Sequence, residues 1–212
     1  MSSSHPSRAS GVTIVELIIF MVIMGVAAAG VIGLLNLGAT SSADPLRRKQ
    51  AMMIAEALME EVQQARFTFC AANDPAADTA TQQNNCTVAP MVVGARVAGA
   101  TRPYGNVADY ANVAGAAERT FAVIGIDTDI NGLALGANAA GVSTLGAITS
   151  TVTLNYLNTA ARALGPANLA ILSTAANVNA LQITIITRYG TAPNDVVQLD
   201  GYRTRYAPEV LP

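Results

Sequence analysis

Residues 12–37 read VTIVELIIFMVIMGVAAAGVIGLLNL, an apolar run from Val12 to Leu37 broken by a single charge at Glu16. A helix needs about 20 mostly apolar residues to cross the roughly 30 Å hydrocarbon core of a bilayer, and this run exceeds that length. The expectation is a membrane-spanning helix. A core helix of a soluble domain is also apolar all round, but it seldom runs so far almost uncharged and then continues as an amphipathic pattern. Glu16 stands out within the run. A carboxylate near the start of a spanning segment is costly in hydrocarbon unless it is paired, protonated or near the interface. It therefore marks either a functional group or a boundary residue that snorkels.

The residues ahead of the run, Met1 to Gly11, are polar, serine-rich and mildly basic, and read as processing sequence. A secretory signal has a short apolar core with its cleavage site on the far side. Here the apolar segment is too long for that, and a cut ahead of it would leave the helix with the mature chain. Cleavage between Gly11 and Val12 makes Val12 a new amino terminus and Glu16 the fifth residue, about one helical turn away.

A short polar leader ending in glycine, followed by V-T-I-V-E-L and an apolar helix, resembles the N-terminal signature of the type IV pilins and pseudopilins. That resemblance implies cleavage after Gly11 by a prepilin peptidase, N-methylation of Val12 and an assembly role for Glu16. It implies a pilin-like α+β fold, in which a long N-terminal helix packs its second half on a C-terminal antiparallel sheet. Three further segments resemble the minor pilins of the mannose-sensitive haemagglutinin pilus system. They are DPLRRKQAMMIAEALMEEV at 44–62, YGNVADY at 104–110, and the pair ITIITRYG and VVQLDGYRTRY near the C terminus.

After the run, Asn36 to Ala43 is small and polar, and Asp44-Pro45 suits a helix N-cap with proline at the first position, so the helix restarts or continues there. Leu46, Met53, Ile54, Ala57, Leu58, Val62 and Ala65 recur at helical spacing, with Glu56, Glu60, Gln63 and Gln64 on the opposite face. That apolar stripe is expected to pack on the chain's own sheet. The expected segments are a leader at 1–11, a transmembrane and assembly helix at 12–37, its amphipathic extension at 38–68, and a globular β-rich domain at 69–212.

Within the last segment, Phe121–Ile126, Ala147–Leu154, Ala180–Arg188 and Val196–Tyr206 are β-branched or alternating runs and are expected as strands. YGTAPND at 189–195 suits a hairpin connection between the last two. The Ala-, Asn- and Gly-rich stretches 133–146 and 160–179 read as short helices or loops.

Arg47, Arg48 and Lys49 outnumber the basic charge before the helix, which by the positive-inside rule alone would keep the C-terminal part in the cytoplasm. The two cysteines, Cys70 and Cys86, flank a polar loop and make one bridge if that part lies in an oxidising compartment, or two free thiols if it does not. The pilin resemblance implies the exported arrangement, with a single pass through the bacterial inner membrane, a periplasmic C-terminal domain and later incorporation into a filament.

Catalytic chemistry is poorly supplied. His5 is the sole histidine and falls in the leader, which leaves a cleaved chain no histidine triad or histidine metal cluster. Neither a G-x-S-x-G elbow nor a phosphate loop occurs. The expectation is no enzyme activity and no cofactor. The formal net charge is −2, with no basic stripe interleaved with aromatics, which argues against nucleic acid as the main ligand. Asp127, Asp129, Asn131 and Gly132 repeat the opening of a calcium loop, but Asn138 stands where the bidentate glutamate belongs. A turn built on Asn131-Gly132 is the favoured reading, with calcium as the weaker one.

The expected partners are a prepilin peptidase, other pilin subunits, the inner membrane and a pilus assembly platform. A type II secretion pseudopilin and a non-polymerising membrane-anchored binding protein remain open as alternatives. Cleavage after Gly11 separates the last of these from the other two.

Overall fold

The computed structural model describes residues 13–138, 140, 146–158, 164 and 171–205, with the backbone alone at 35–44. The chain divides into two compact units, Met1–Leu46 and Arg47–Pro212, and helix α1, Ile14–Gln64, contributes to both. Its sequence is rich in Leu, Met and Ala, which keep most of their rotamer freedom or have little to lose in a helix. Thr13 starts it: its Oγ1 accepts the Glu16 N–H at 3.3 Å and its carbonyl accepts the Leu17 N–H at 3.2 Å. Pro45 lies inside the helix, so Asp44-Pro45 is not the start of a separate one. The proline costs one backbone hydrogen bond without ending the element.

In the second unit, α1 buries Ala51, Ala55, Leu58, Met59 and Val62, and Ala65 just past its end is buried as well. This corrects the expected stripe. Leu58, Val62 and Ala65 are inside as expected and Ile54 is partly so, but Leu46, Met53 and Ala57 face out, with Leu46 at 56% and Met53 at 60% exposure. The physical reason is the pair of alanines, whose small side chains let the body of the domain approach the helix along the 51–55–62 line.

Three strands form an antiparallel sheet in the order β3-β4-β5: β3 Thr149–Tyr156, β4 Ala180–Arg188 and β5 Val196–Thr204. The central strand, β4, buries Leu181, Ile183, Ile185 and Thr187 at alternate positions, and β3 buries Ser150, Val152 and Leu154. These two sets meet in register, Val152 opposite Ile185 and Ser150 opposite Thr187. The one polar pair in that layer satisfies itself, Ser150 Oγ lying 2.9 Å from Thr187 Oγ1. The β4–β5 connection closes with the Tyr189 N–H donating to the Asp195 carbonyl at 3.0 Å. Strand β3 begins at Thr149, two residues later than its expected start at Ala147. Strand β5 ends at Thr204, and Tyr206 lies outside the described residues.

Phe121–Ile126 is not one strand. It folds into a small antiparallel hairpin, β1 Ala122–Val123 with β2 Ile126–Asp127, turning at Ile124 (φ 50°) and Gly125 (φ 82°). Gly125 was the turn signal inside a β-branched run. Positive φ at both central residues gives a two-residue loop the twist that antiparallel strands need. The described parts of 133–146 and 160–179 hold isolated bridges, such as Leu164 to Ile171 and Thr174 to Asn177, and no helix.

The architecture is an N-terminal apolar helix with a C-terminal antiparallel sheet, which is α+β. The core lies between the α1 face and the sheet, and it includes Tyr110 and Phe121, both fully buried.

Candidate functional site

Ile14–Leu34 is a helical stretch of 21 residues with mean hydropathy 2.7, and none of it is buried. It is long and apolar enough to cross a membrane. Ile14, Phe20, Val26 and Leu34 are each more than 60% exposed, so the apolar character continues around the helix instead of forming one stripe. Exposed apolar surface on this scale marks contact with lipid or with other protein.

Glu16 is the acidic residue of the helix's first turn and is exposed. Thr13-x-x-Glu16 is also a capping-box spacing, with the threonine hydroxyl already on the backbone N–H of Glu16. A carboxylate there also complements the positive end of the helix dipole. The cap uses the backbone N–H of Glu16 and leaves its carboxylate outside that hydrogen bond. Gly11 and Val12, the expected cleavage and methylation positions, lie outside the described residues.

Cys70 and Cys86 are joined in a disulfide. Beside it, the buried Asp74 accepts four backbone N–H groups: Ala76 (2.8 Å) and Thr87 (3.3 Å) on Oδ1, Val88 (2.6 Å) and Ala89 (3.2 Å) on Oδ2. Burial alone would raise its pKa. The four donors outweigh that and hold the carboxyl below its ordinary range. Ligand atoms of Cys70, Asp74 and Cys86 lie within 4.8 Å of one another. A metal reading fails on chemistry, because both sulfurs are consumed by the disulfide and both carboxylate oxygens by the backbone.

The calcium candidates are also otherwise engaged. Asp127 is buried and its Oδ2 accepts from Arg119, Nε at 3.1 Å and Nη2 at 2.5 Å. Asp129 Oδ1 accepts the N–H groups of Asn131 and Leu133, both at 2.9 Å, and Gly132 takes a positive φ of 83°. Of the expected Asn131-Gly132 pair, only the glycine takes positive φ. Asn138 uses its Oδ1 on the Ala140 N–H, 3.0 Å away. The structure brings Asp129, Asn131 and Gly132 into a tight turn.

A groove of about 760 Å³ lies along α1, lined by Ile54, Ala57, Tyr104, Ile130 and Leu135 and by Glu61, which pairs with the buried Arg102. Arg102 donates to both Glu61 oxygens, Nε at 3.0 Å and Nη2 at 2.6 Å, and both side chains are about 10% exposed. Tyr110 donates its hydroxyl to Glu61 Oε1 at 3.0 Å, and burial together with that carboxylate pushes its pKa up. The cluster holds a carboxylate that is fully hydrogen-bonded, a permanent cation and a phenol held protonated. None of the three is poised as a nucleophile or a base. Its role is to tie α1 to the loops at 102–110.

No family model, curated protein or solved structure matches this chain.

Proposed function

We propose that this chain is a minor pilin: a prepilin held in the bacterial inner membrane by residues 12–37, cut after Gly11, methylated at Val12 and assembled into a type IV pilus-like filament of the mannose-sensitive haemagglutinin type. The observation that carries the reading is the unburied apolar stretch Ile14–Leu34 with one carboxylate in its first turn. Such a helix needs lipid before assembly and other helices after it, and the residues around Gly11 match the leader that links those two states. The exported body is consistent with the disulfide at Cys70–Cys86.

N-terminal mass analysis of the membrane-extracted chain, co-expressed with a prepilin peptidase, tests this. The expected species begins at methylated Val12, and Gly11→Val blocks the cut, because the absent side chain of Gly11 suits a tight protease subsite beside a helix start. A wild-type chain that keeps its leader in the presence of the peptidase overturns the proposal.

A further inference from the structure

Arg203 and Arg205 take alternate positions at the end of β5, on the side where Gly201 meets Met59 and Gln63 of α1. Arg205 lies one residue past the strand, yet its N–H donates to the Asn179 carbonyl at 2.8 Å, so the ladder carries on through it. Both side chains line a pocket of about 350 Å³, together with Arg66, Phe67 and Phe69 from the segment that follows α1.

The pocket holds more positive charge than its own residues neutralise. Arg66 pairs with Asp78, the acid of the lining. Arg203 has no hydrogen bond or ion pair among the described residues, and of its three side-chain nitrogens only Nε is buried, so the fork of its guanidinium is open. Arg205 donates Nη2 to the Val178 carbonyl and leaves Nε and Nη1 buried without a partner. Two cations are thus left uncompensated in a chain whose formal net charge is −2, which sets the pocket apart from a generally basic surface.

Arg205 is also desolvated. Its Cζ stands 3.6 Å from the Phe69 ring centroid and 5.0 Å from that of Phe67, and burial pushes its pKa down to about 10. Ring faces offset part of the cost of taking a cation out of water, and an anion offsets more.

We propose that this pocket binds a phosphate dianion, free or as the head of a small phosphate monoester, with Arg203 as its direct contact and Arg205 as a fixed charge beside it. Charge selects the class. A monoester carries roughly −1.5 to −2 at pH 7, which matches two uncompensated arginines, whereas a carboxylate or a phosphodiester brings a single charge. The planar fork of arginine also fits phosphate oxygens in pairs. A volume of about 350 Å³ is at the small end for ligand sites, enough for a phosphate and a short organic body against Phe67 and Phe69. The site is independent of the filament reading and of the cut after Gly11.

Calorimetric titration of the full-length chain in detergent at low salt tests it, with glycerol 3-phosphate, inorganic phosphate and dimethyl phosphate as probes. Glycerol 3-phosphate is expected to bind at least tenfold more tightly than dimethyl phosphate, a singly charged diester, and to raise Tm by linkage. Inorganic phosphate that binds as tightly as glycerol 3-phosphate supports the free anion as ligand, and weaker binding supports the monoester. Arg203→Gln removes the open guanidinium and no hydrogen bond of the fold, so it is expected to weaken binding at least tenfold while the Tm of the unliganded chain is unchanged or higher. Arg48→Gln, at an exposed position outside the pocket, is expected to leave the affinity unchanged. No binding of glycerol 3-phosphate, equal binding of dimethyl phosphate, or full affinity in Arg203→Gln overturns the proposal. So does a lower Tm in Arg203→Gln with no probe bound by wild type, which would leave Arg203 a cation that only complements the C-terminal end of α1.

Discussion

Glu61 and Glu60 are sequence neighbours, and nothing in their spacing tells them apart. A helix turns about 100° per residue, so one faces solvent and the other meets Arg102, a partner 41 positions along the chain. Removing one member of a buried ion pair strands the other. Glu61→Ala is therefore expected to cost about 3–5 kcal/mol, read as a lower denaturant midpoint. Glu60→Ala is expected to change it little. Asp74 is a different case, a carboxylate satisfied wholly by backbone donors. Its folded pKa is lowered, so its contribution is present above the ordinary carboxylate pKa of about 3.9 and is lost as pH falls through the lowered folded value. Asp74→Asn is expected to lower Tm at neutral pH and to flatten the fall in Tm on acidification. An unchanged acid slope would show that other carboxylates set it. Neither residue stands out in the sequence, because each is defined by partners that only the fold brings near: Arg102 for Glu61, and the loop 87–89 for Asp74.

At the scale of elements, period-two alternation located β4 and β5 well, because their pleat has one face on the core and so fixes every second residue. It failed at Phe121–Ile126, where composition promised a strand and Gly125 made a turn. The helical stripe was misplaced by small residues: Ala51 and Ala55 carry the contact, while Met53, expected on the buried face, is 60% exposed. The same economy of volume occurs across the interface. A Cβ built on Gly201 of β5 would come within 2.9 Å of both Met59 Sδ and Gln63 Nε2 on α1. Both atoms end flexible side chains, so Gly201→Ala is expected to cost less than about 1 kcal/mol. Gly201→Leu cannot be absorbed by such shifts and is expected to cost about 1–3 kcal/mol as overpacking. Chemical denaturation of the two variants checks the difference; equal costs would mean that backbone freedom, not helix approach, selects glycine there.

For the whole molecule, the question is what the exposed apolar stretch Ile14–Leu34 requires of its one carboxylate. As a monomer in a bilayer, Glu16 stands in the first turn, and its removal leaves insertion intact or slightly favoured, since a charge in a spanning segment is costly. In the proposed filament the cleaved Val12 ammonium would be packed away from bulk water, where an unpaired charge is expensive and a neighbouring subunit's Glu16 would neutralise it. The carboxylate has no ion pair among the described residues, which leaves it free for that role. Pairing between subunits would use the Glu16 carboxylate, whereas the cap at Thr13 uses the Glu16 backbone N–H, and Glu16→Gln separates them. Glutamine serves equally at the third position of a capping box, so Thr13 and the helix start are preserved while the charge is lost. The variant is expected to be made, inserted and cut after Gly11, yet depleted from sheared filaments relative to wild type. Equal incorporation would reduce Glu16 to a helix-start residue. A failure to insert would move its role from assembly to anchoring, and Thr13→Ala, which weakens the cap and keeps the charge, is expected to leave incorporation near wild type.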